Sequence, residues 1–350
     1  MPRYSIISAA SELSCYDLII DVRSPSEYAE DHIQDAVNLP VLNDQQRHEV
    51  GILYKENGFS AAKIGAALVS ENISKILQNP ALELGHTKKI LIYCWRGGHR
   101  SNSLAHVLSA IGWKVYIMDH GYKAYRNHVI RSLQHFFTHP EIQLRIISGY
   151  TGSGKTHLLE QLAQQGAQVL DLESLANHKG SIFGAVNQGA QPSQRKFENL
   201  LLEATRAFSH DQPIFVEAES NKIGQIYCPA PLWQAMKAAK VYEIQLPIQE
   251  RVKCILSDYA FFTKNSTMVL ELIERLRSFR GGALIEHWKS LIEKDDWEAF
   301  TLSILEEHYD HAYQQAGEKN SAFLTPHQHL PVESFSTTAF AQVAHKLLEC

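Results

Sequence analysis

The sequence predicts an α/β protein with two parallel-sheet domains in series and a helical C-terminal subdomain, and three observations predict it. Strand-like and helix-like segments alternate from residue 17 onward, the mark of parallel strands joined by crossover helices. The alternation occurs twice, separated by a stretch from Tyr125 to Gln143 that lacks strand character. From Met268 to about Gln315 apolar residues recur at helical spacing, as at Leu270, Ile273 and Leu276 and again at Leu284, Trp288 and Leu291.

Taken in order, Leu18-Ile19-Ile20 and Ile90-Leu91-Ile92-Tyr93 are short apolar runs suited to buried strands, and Lys114–Met118 follows a helix from about Ser101. The second set opens with Leu144–Ser148 and continues with Ala167–Asp171, Ile214–Glu217 and Lys240–Ile244. The expected boundaries are 1–130 for the first domain, 131–142 for a helical linker, 143–265 for the second domain and 266–350 for the helical subdomain. A length of 350 residues suits two domains.

Composition is that of a globular protein, with 45% hydrophobic and 20% charged residues. No run approaches the roughly 18 apolar residues of a membrane span, so the expectation is a cytoplasmic chain without a membrane partner. Net charge is -5, so a polyanion must be met by a local basic patch. The five cysteines Cys15, Cys94, Cys228, Cys254 and Cys350 are scattered without CxxC spacing, which argues against a disulfide framework and against a zinc site.

One cysteine has a reactive setting. Tyr93-Cys94-Trp95-Arg96-Gly97-Gly98-His99-Arg100-Ser101 puts Cys94 after a buried strand and before a helix. Backbone N–H groups of such a loop form an anion nest, and the helix N-terminus adds partial positive charge. Arg96 and Arg100 add whole charges, a setting that favours a thiolate nucleophile.

Gly149-Tyr150-Thr151-Gly152-Ser153-Gly154-Lys155-Thr156 fits the phosphate-binding P-loop pattern G-x-x-x-x-G-K-[ST] without a mismatch, between a strand and a helix. Gly149, Gly152, Ser153 and Gly154 bring N–H groups to the phosphates. Lys155 supplies a charge, and the Thr156 hydroxyl is a ligand for Mg2+. Glu217 and Glu219, at the end of a strand, are candidates for acid–base work or for holding magnesium through water. The motif calls for a diphosphate or triphosphate. It does not establish ATP.

Several segments carry family resemblances. Asp21-Val22-Arg23-Ser24-Pro25-Ser26-Glu27-Tyr28, His32-Ile33, Ala36–Pro40 and Gly121-Tyr122-Lys123-Ala124-Tyr125 resemble the rhodanese signature over about the first 125 residues, with Asp31 and Asp35 where glycines are common. The second domain is P-loop NTPase-like, and its segments Asp171–Gly184, Gln191–Asn199 and Val216–Gly224 resemble those of tRNA 2-selenouridine synthases, as does the order of the two domains.

That resemblance implies replacement of sulfur by selenium at C2 of wobble 2-thiouridine, through an S-geranyl intermediate. The implied co-substrates are geranyl diphosphate and selenophosphate. The implied partners are tRNA carrying wobble 2-thiouridine and a selenophosphate-supplying enzyme. Cys94, Arg96 and Arg100 would then handle selenium, and the P-loop would hold the geranyl pyrophosphate. His178, Lys179 and Ser181 are candidates for contacts to diphosphate or base. Arg195, Lys196, Lys123, Arg126 and Arg131 are candidates for tRNA phosphates, and Phe183, Tyr259, Phe261 and Phe262 for the geranyl chain. Five residues separate Cys94 from Arg100, so the alternative is a sulfurtransferase or CX5R-type phosphatase fused to a P-loop NTPase, with His99 or Asp119 as its acid.

Overall fold

The structure, a computed structural model, describes residues 4–179, 189–260, 263–312 and 327–349. The chain divides into two compact units, residues 1–132 with 192–202 and residues 133–191 with 203–350.

The first unit is a five-stranded parallel sheet built from β1 (Ser5–Ile7), β2 (Leu18–Asp21), β3 (Ala36–Asn38), β4 (Lys89–Tyr93) and β5 (Lys114–Met118), in the order β1-β5-β4-β2-β3. Its helices are α1 (Pro25–Glu30), α2 (Asp44–Glu56), α3 (Gly58–Ile76), α4 (His99–Ile111) and α5 (Gly121–Phe137). Parallel strands covered on both faces need continuous apolar runs. Accordingly Ile19, Ile20, Ile90, Leu91 and Ile92 are all buried. Val69, Ile73 and Ile76 of α3 and Leu104, Ala105 and Leu108 of α4 pack with Ile20, Ile92, Val115 and Ile117 in one core. The chain runs outward in one direction from β2 to β3 and in the other from β4 to β5. Ligands collect at the carboxyl ends of strands flanking such a switch, and Asp21 and Cys94 lie there.

The second unit carries its own five-stranded parallel sheet, from β6 (Leu144–Ser148), β7 (Gln168–Leu170), β8 (Ile214–Glu217), β11 (Lys240–Gln245) and β12 (Gln328–Pro331), in the order β12-β11-β6-β8-β7. A two-stranded hairpin, β9 (Lys222–Ile223) and β10 (Ile226–Tyr227), follows β8. The helices are α6 (Lys155–Gln164), α7 (Leu172–Ala176), the end of α8 (Gln194–Thr205, of which residues 194–202 belong to the first unit), α9 (Ala230–Lys237), α10 (Ile248–Asp258), α11 (Ser266–Glu274), α12 (Arg277–Arg280), α13 (Gly282–Glu293) and α14 (Trp297–Ile304), then a π-helical turn Leu305–Asp310 and the last described helix, α15 (Thr337–Leu348). Strand β6 is central, so the loop that follows it opens at the middle of the sheet edge.

Three features differ from the sequence-based picture. Residues 131–137 are the last turns of α5, which starts at Gly121. The C-terminal stretch is not wholly helical, since β12 pairs in parallel with β11 and Phe340, Val343, Ala344 and Leu347 of α15 join Leu158, Leu159 and Leu162 of α6 in one core. The helical part proper is α11–α14, built around Ile273, Ile285, Trp288 and Phe300. Finally, residues 192–202 belong to the first unit although both flanking stretches belong to the second. Among the described residues no helix is long and apolar enough to cross a membrane.

Candidate functional sites

Cys94 follows β4 directly and is 3% exposed, with its Sγ 3.3 Å from Ser101 Oγ. Its carbonyl accepts from the N–H of Tyr122 at 2.8 Å, and that of Trp95 accepts from Lys123 N–H at 3.0 Å. In a trans peptide the N–H points opposite to the C=O, so the N–H groups of Trp95 and Arg96 are turned away from α5. Gly121 makes this approach feasible. At φ +55 it sits where a Cβ would meet Cys94 O at 2.2 Å and Gly97 N at 2.7 Å.

The two arginines of the loop have different fates. Arg96 is exposed. Arg100 Nη1 donates to Glu27 Oε2 at 2.8 Å, and Arg47 Nε reaches the same oxygen at 2.7 Å. Burial pushes the Glu27 carboxyl up, but Arg100 and Arg47 outweigh it and hold the group below the usual carboxylate range. Arg100 is therefore ion-paired with Glu27. Of the proposed phosphatase acids, His99 and Asp119 are both exposed.

Asp21 and Arg23 of the rhodanese-like signature form a buried pair at 2.6 Å. The Arg23 guanidinium lies 3.9 Å from the Tyr122 ring centre and donates to Asp31 O at 2.6 Å. Asp31 is buried and accepts from Tyr122 Oη at 2.5 Å, while Asp35 takes φ +60, the left-handed backbone for which glycine is the easier residue. Tyr122, whose N–H donates to Cys94 O, links Arg23 and Asp31 to the cysteine loop.

Segment 192–202 closes the same face. Asn199 is buried, donates to His32 O at 2.8 Å and accepts from Tyr125 Oη at 2.5 Å. Arg195 pairs with Glu30 at 2.9 Å and lies 5.7 Å from the centre of the Trp95 ring, next to Cys94. Lys196 Nζ is 3.4 Å from His32 Nε2, and Arg126 pairs with Glu198. Arg195, Lys196 and Arg126, expected as contacts to tRNA phosphates, are thus engaged within this unit. Lys123 and Arg131 remain exposed on α5.

In the second unit the phosphate loop takes left-handed backbone at Gly152 and Gly154, with φ +77 and +80. A Cβ on Gly152 would meet Ile255 at 2.8 Å, and one on Gly154 would meet Phe340 at 2.3 Å. Glycine is needed because α10 and α15 press on the loop. Lys155 Nζ donates back to Gly149 O at 3.2 Å, so it stands over the loop. Thr156 follows in the first turn of α6. Ser153 Oγ is buried without a partner among the described residues.

Carboxylates gather beside the loop. Glu217 is 3% exposed, its Oε1 accepts from Glu173 N–H at 2.7 Å, and its Oε2 has no partner among the described residues. Burial and the nearby Asp171 push its carboxyl well above the ordinary range. Glu219 is raised to about 8 by burial and by Glu173, against a lowering pull from Lys155. The three family-like segments meet here. Gln191 Nε2 donates to Ala176 O and Ile223 O, its Oε1 accepts from Gln225 N–H at 2.8 Å, and Asn177 donates to Ala190 O.

His178 has a buried Nδ1 without a partner among the described residues. Lys179 Nζ lies 5.0 Å from the Tyr259 ring centre. Ser181, Phe183, Phe261 and Phe262 lie outside the described residues.

Sequence reasoning passed over two features. Arg251, buried on α10, donates from Nε to Thr151 O at 3.0 Å and forms a bidentate pair with Asp310 at 2.6 and 2.9 Å, fixing the loop from outside the motif. An apolar cavity is lined by Thr151 together with Ile255, Tyr259, Val269, Trp297 and Phe300. Tyr259 was picked out from the sequence; the remaining walls come from helices far along the chain.

Fold and sites define the class: a rhodanese-like unit whose buried cysteine loop ends a central strand, fused to a P-loop unit whose phosphate loop adjoins an apolar cavity. Residues 7–128 match the rhodanese-like domain family, and residues 142–275 match the family described as the tRNA 2-selenouridine synthase AAA domain. Curated proteins named tRNA 2-selenouridine synthase are similar to the chain. That of Nitrosomonas europaea is 36% identical over 250 residues, covering 70% of this chain and 64% of the relative. That of Bdellovibrio bacteriovorus is 37% identical over 249 residues, 69% of this chain and 64% of the relative. That of Marinobacter nauticus is 34% identical over 294 residues, 78% of each. The chain belongs to the tRNA 2-selenouridine synthase family. It spans just under two thirds of the length of the first two of these relatives.

Proposed function

We propose that the protein is a tRNA 2-selenouridine synthase, a transferase that replaces sulfur by selenium at C2 of wobble 2-thiouridine through an S-geranyl intermediate. The observation that carries this reading is the cavity lined in part by Thr151 of the phosphate loop. A P-loop suits a diphosphate, and an apolar cavity that its Thr151 helps to line suits a hydrocarbon tail on that diphosphate. Together they favour geranyl diphosphate over a nucleotide, whose base and ribose would have few polar partners on such walls.

In this reading the loop N–H groups and Lys155 hold the pyrophosphate and stabilise the charge that grows as the C–O bond to geranyl breaks. The thiocarbonyl sulfur of the tRNA base attacks the freed carbon, and pyrophosphate leaves. The donor set fits Mg2+, since Thr156, Glu217 and Glu219 offer hard oxygens and Glu217 Oε2 is buried without a partner among the described residues. Bound there, the ion would offset pyrophosphate charge. Lys179, over Tyr259, would face the junction of diphosphate and tail. Alkylation turns C2 into an isothiourea-like centre. The selenium of selenophosphate then adds at C2, geranyl thiol departs with a proton, and water cleaves the remaining Se–P bond to release phosphate and leave selenium on C2.

Cys94 is the residue for selenium delivery, with Arg96 as the exposed cation for the selenophosphate oxygens and Arg100 beside it. Lys123 and Arg131 are the exposed basic residues for tRNA phosphates. The test is conversion of thiolated tRNA with geranyl diphosphate and selenophosphate, read by mass spectrometry of nucleosides, each component omitted in turn. Lys155→Ala should abolish the geranylated nucleoside, while Cys94→Ala should abolish selenouridine and leave geranylated tRNA. Normal geranylation by Lys155→Ala would overturn this division of labour.

A further inference from the structure

Scattered cysteines without CxxC spacing argue against a zinc site, yet folding brings three metal-ligating side chains together. The ligand atoms of His157, Cys254 and Asp258 lie within 4.8 Å of one another. His157 sits in the first turns of α6, two residues after Lys155, while Cys254 and Asp258 are one turn apart on α10. Residues at i and i+4 share a helix face. His157 Nε2 lies 2.9 Å from Asp258 Oδ1, and Cys254 Sγ lies 3.7 Å from Asp258 Oδ2. Around a tetrahedral zinc ion with bonds of about 2.0–2.3 Å, neighbouring ligand atoms stand roughly 3.3–3.5 Å apart. The two separations, one to each oxygen of Asp258, lie near that value, and one ligand atom from each residue stays within 4.8 Å of the others.

The chemistry of the set is equally specific. A thiolate and a carboxylate bring two negative charges and a neutral imidazole brings none, so a dication makes the group neutral in a place where Cys254 is buried and its partners half-buried. Sulfur and imidazole nitrogen select zinc-class ions over magnesium or calcium. Burial and Asp258 keep the Cys254 thiol protonated, and Asp258 raises the His157 imidazole. Lys155 and Lys179 act on Cys254 in the opposite sense, and Glu160 and Lys179 also act on His157.

We infer that His157, Cys254 and Asp258 bind one zinc-class divalent ion, with the fourth position left to water. Binding displaces the thiol proton of Cys254 to solvent, and a second proton where His157 is charged. The ion would tie the first turns of α6 to α10, whose Ile255 and Arg251 press on Gly152 and hold Thr151. Its effect is to fix the phosphate loop from behind.

The test uses the full-length protein, stripped with a chelator and titrated with Co2+ alone. The expected result is one equivalent of Co2+ per chain, a thiolate-to-cobalt charge-transfer absorption displaced by Zn2+, and proton release on binding. Cys254→Ser should lose the absorption, whereas Cys94→Ser should keep it. His157→Gln, checked for folding by circular dichroism, should weaken Co2+ binding while the absorption survives at saturation. No charge-transfer absorption in the wild type, an absorption that persists in Cys254→Ser, or unchanged affinity in folded His157→Gln would each overturn the site.

Discussion

Gly121→Ala is the sharpest probe of how the cysteine loop is held. The new methyl would fall 2.2 Å from Cys94 O and 2.7 Å from Gly97 N. Both are backbone atoms, and neither can swing aside as a side chain does. A residue with a Cβ at this positive φ costs on the order of 1–3 kcal/mol, and displacing packed atoms adds about 1–3 kcal/mol. Gly112→Ala is the control, because Gly112 has φ +126 but no heavy atom within 4 Å of a Cβ, so it carries only the backbone term. Thermal unfolding should place the melting point of Gly121→Ala below that of Gly112→Ala, by roughly 2–8 °C for each kcal/mol of difference. Alkylation of Cys94 by iodoacetamide, followed on the Cys94 peptide by mass spectrometry, should change several-fold in Gly121→Ala alone. If the two variants melt together and Cys94 reacts at the wild-type rate in both, α5 does not hold the loop.

Three further outcomes are expected. Glu219 is raised from 4.5 to about 8, so between those values the folded state keeps a proton that the unfolded state has lost, and its contribution to stability falls as pH rises through about 8. Glu219→Gln should flatten the loss of urea stability between about pH 5 and pH 8, and an unchanged slope refutes the assignment. Asp310→Ala leaves the buried Arg251 without its carboxylate; such losses cost about 3–5 kcal/mol when fully buried, and with Asp310 at 21% exposure the low end is expected in urea titrations, together with weaker binding of pyrophosphate. Asn199→Ala removes its hydrogen bonds with Tyr125 Oη and His32 O, each worth about 0.5–1.5 kcal/mol; hydrogen exchange in α1 and α5 should rise, and protection equal to wild type would show that the segment is not docked.

What the sequence made legible was local. The P-loop was readable because glycine, lysine and threonine act within eight consecutive residues, and the buried strands because apolar runs mark them one at a time. Arg195 and Lys196 show the limit. A basic pair on a polar segment reads as a phosphate contact, and nothing near it in sequence reveals Glu30, His32 or Trp95 as its neighbours. Arg251 and its carboxylate are 59 residues apart, and the walls of the cavity span residues 151–309, so neither leaves a pattern at helical or strand spacing.

The same reason explains why counting cysteines missed the His157–Cys254–Asp258 cluster. Ligand spacing rules describe sites whose ligands lie close along the chain, whereas His157 and Asp258 are 101 residues apart and meet because α6 and α10 both pack around the phosphate loop. Only the half of the cluster on α10, cysteine and aspartate four residues apart, had a sequence signal, and one turn of helix with two ligands is common without a metal. The surroundings of the phosphate loop are therefore fixed by residues far from it in the chain. Gln191 draws together the segments after β7 and β8, and Arg251 locks Thr151, each through contacts that sequence order hides.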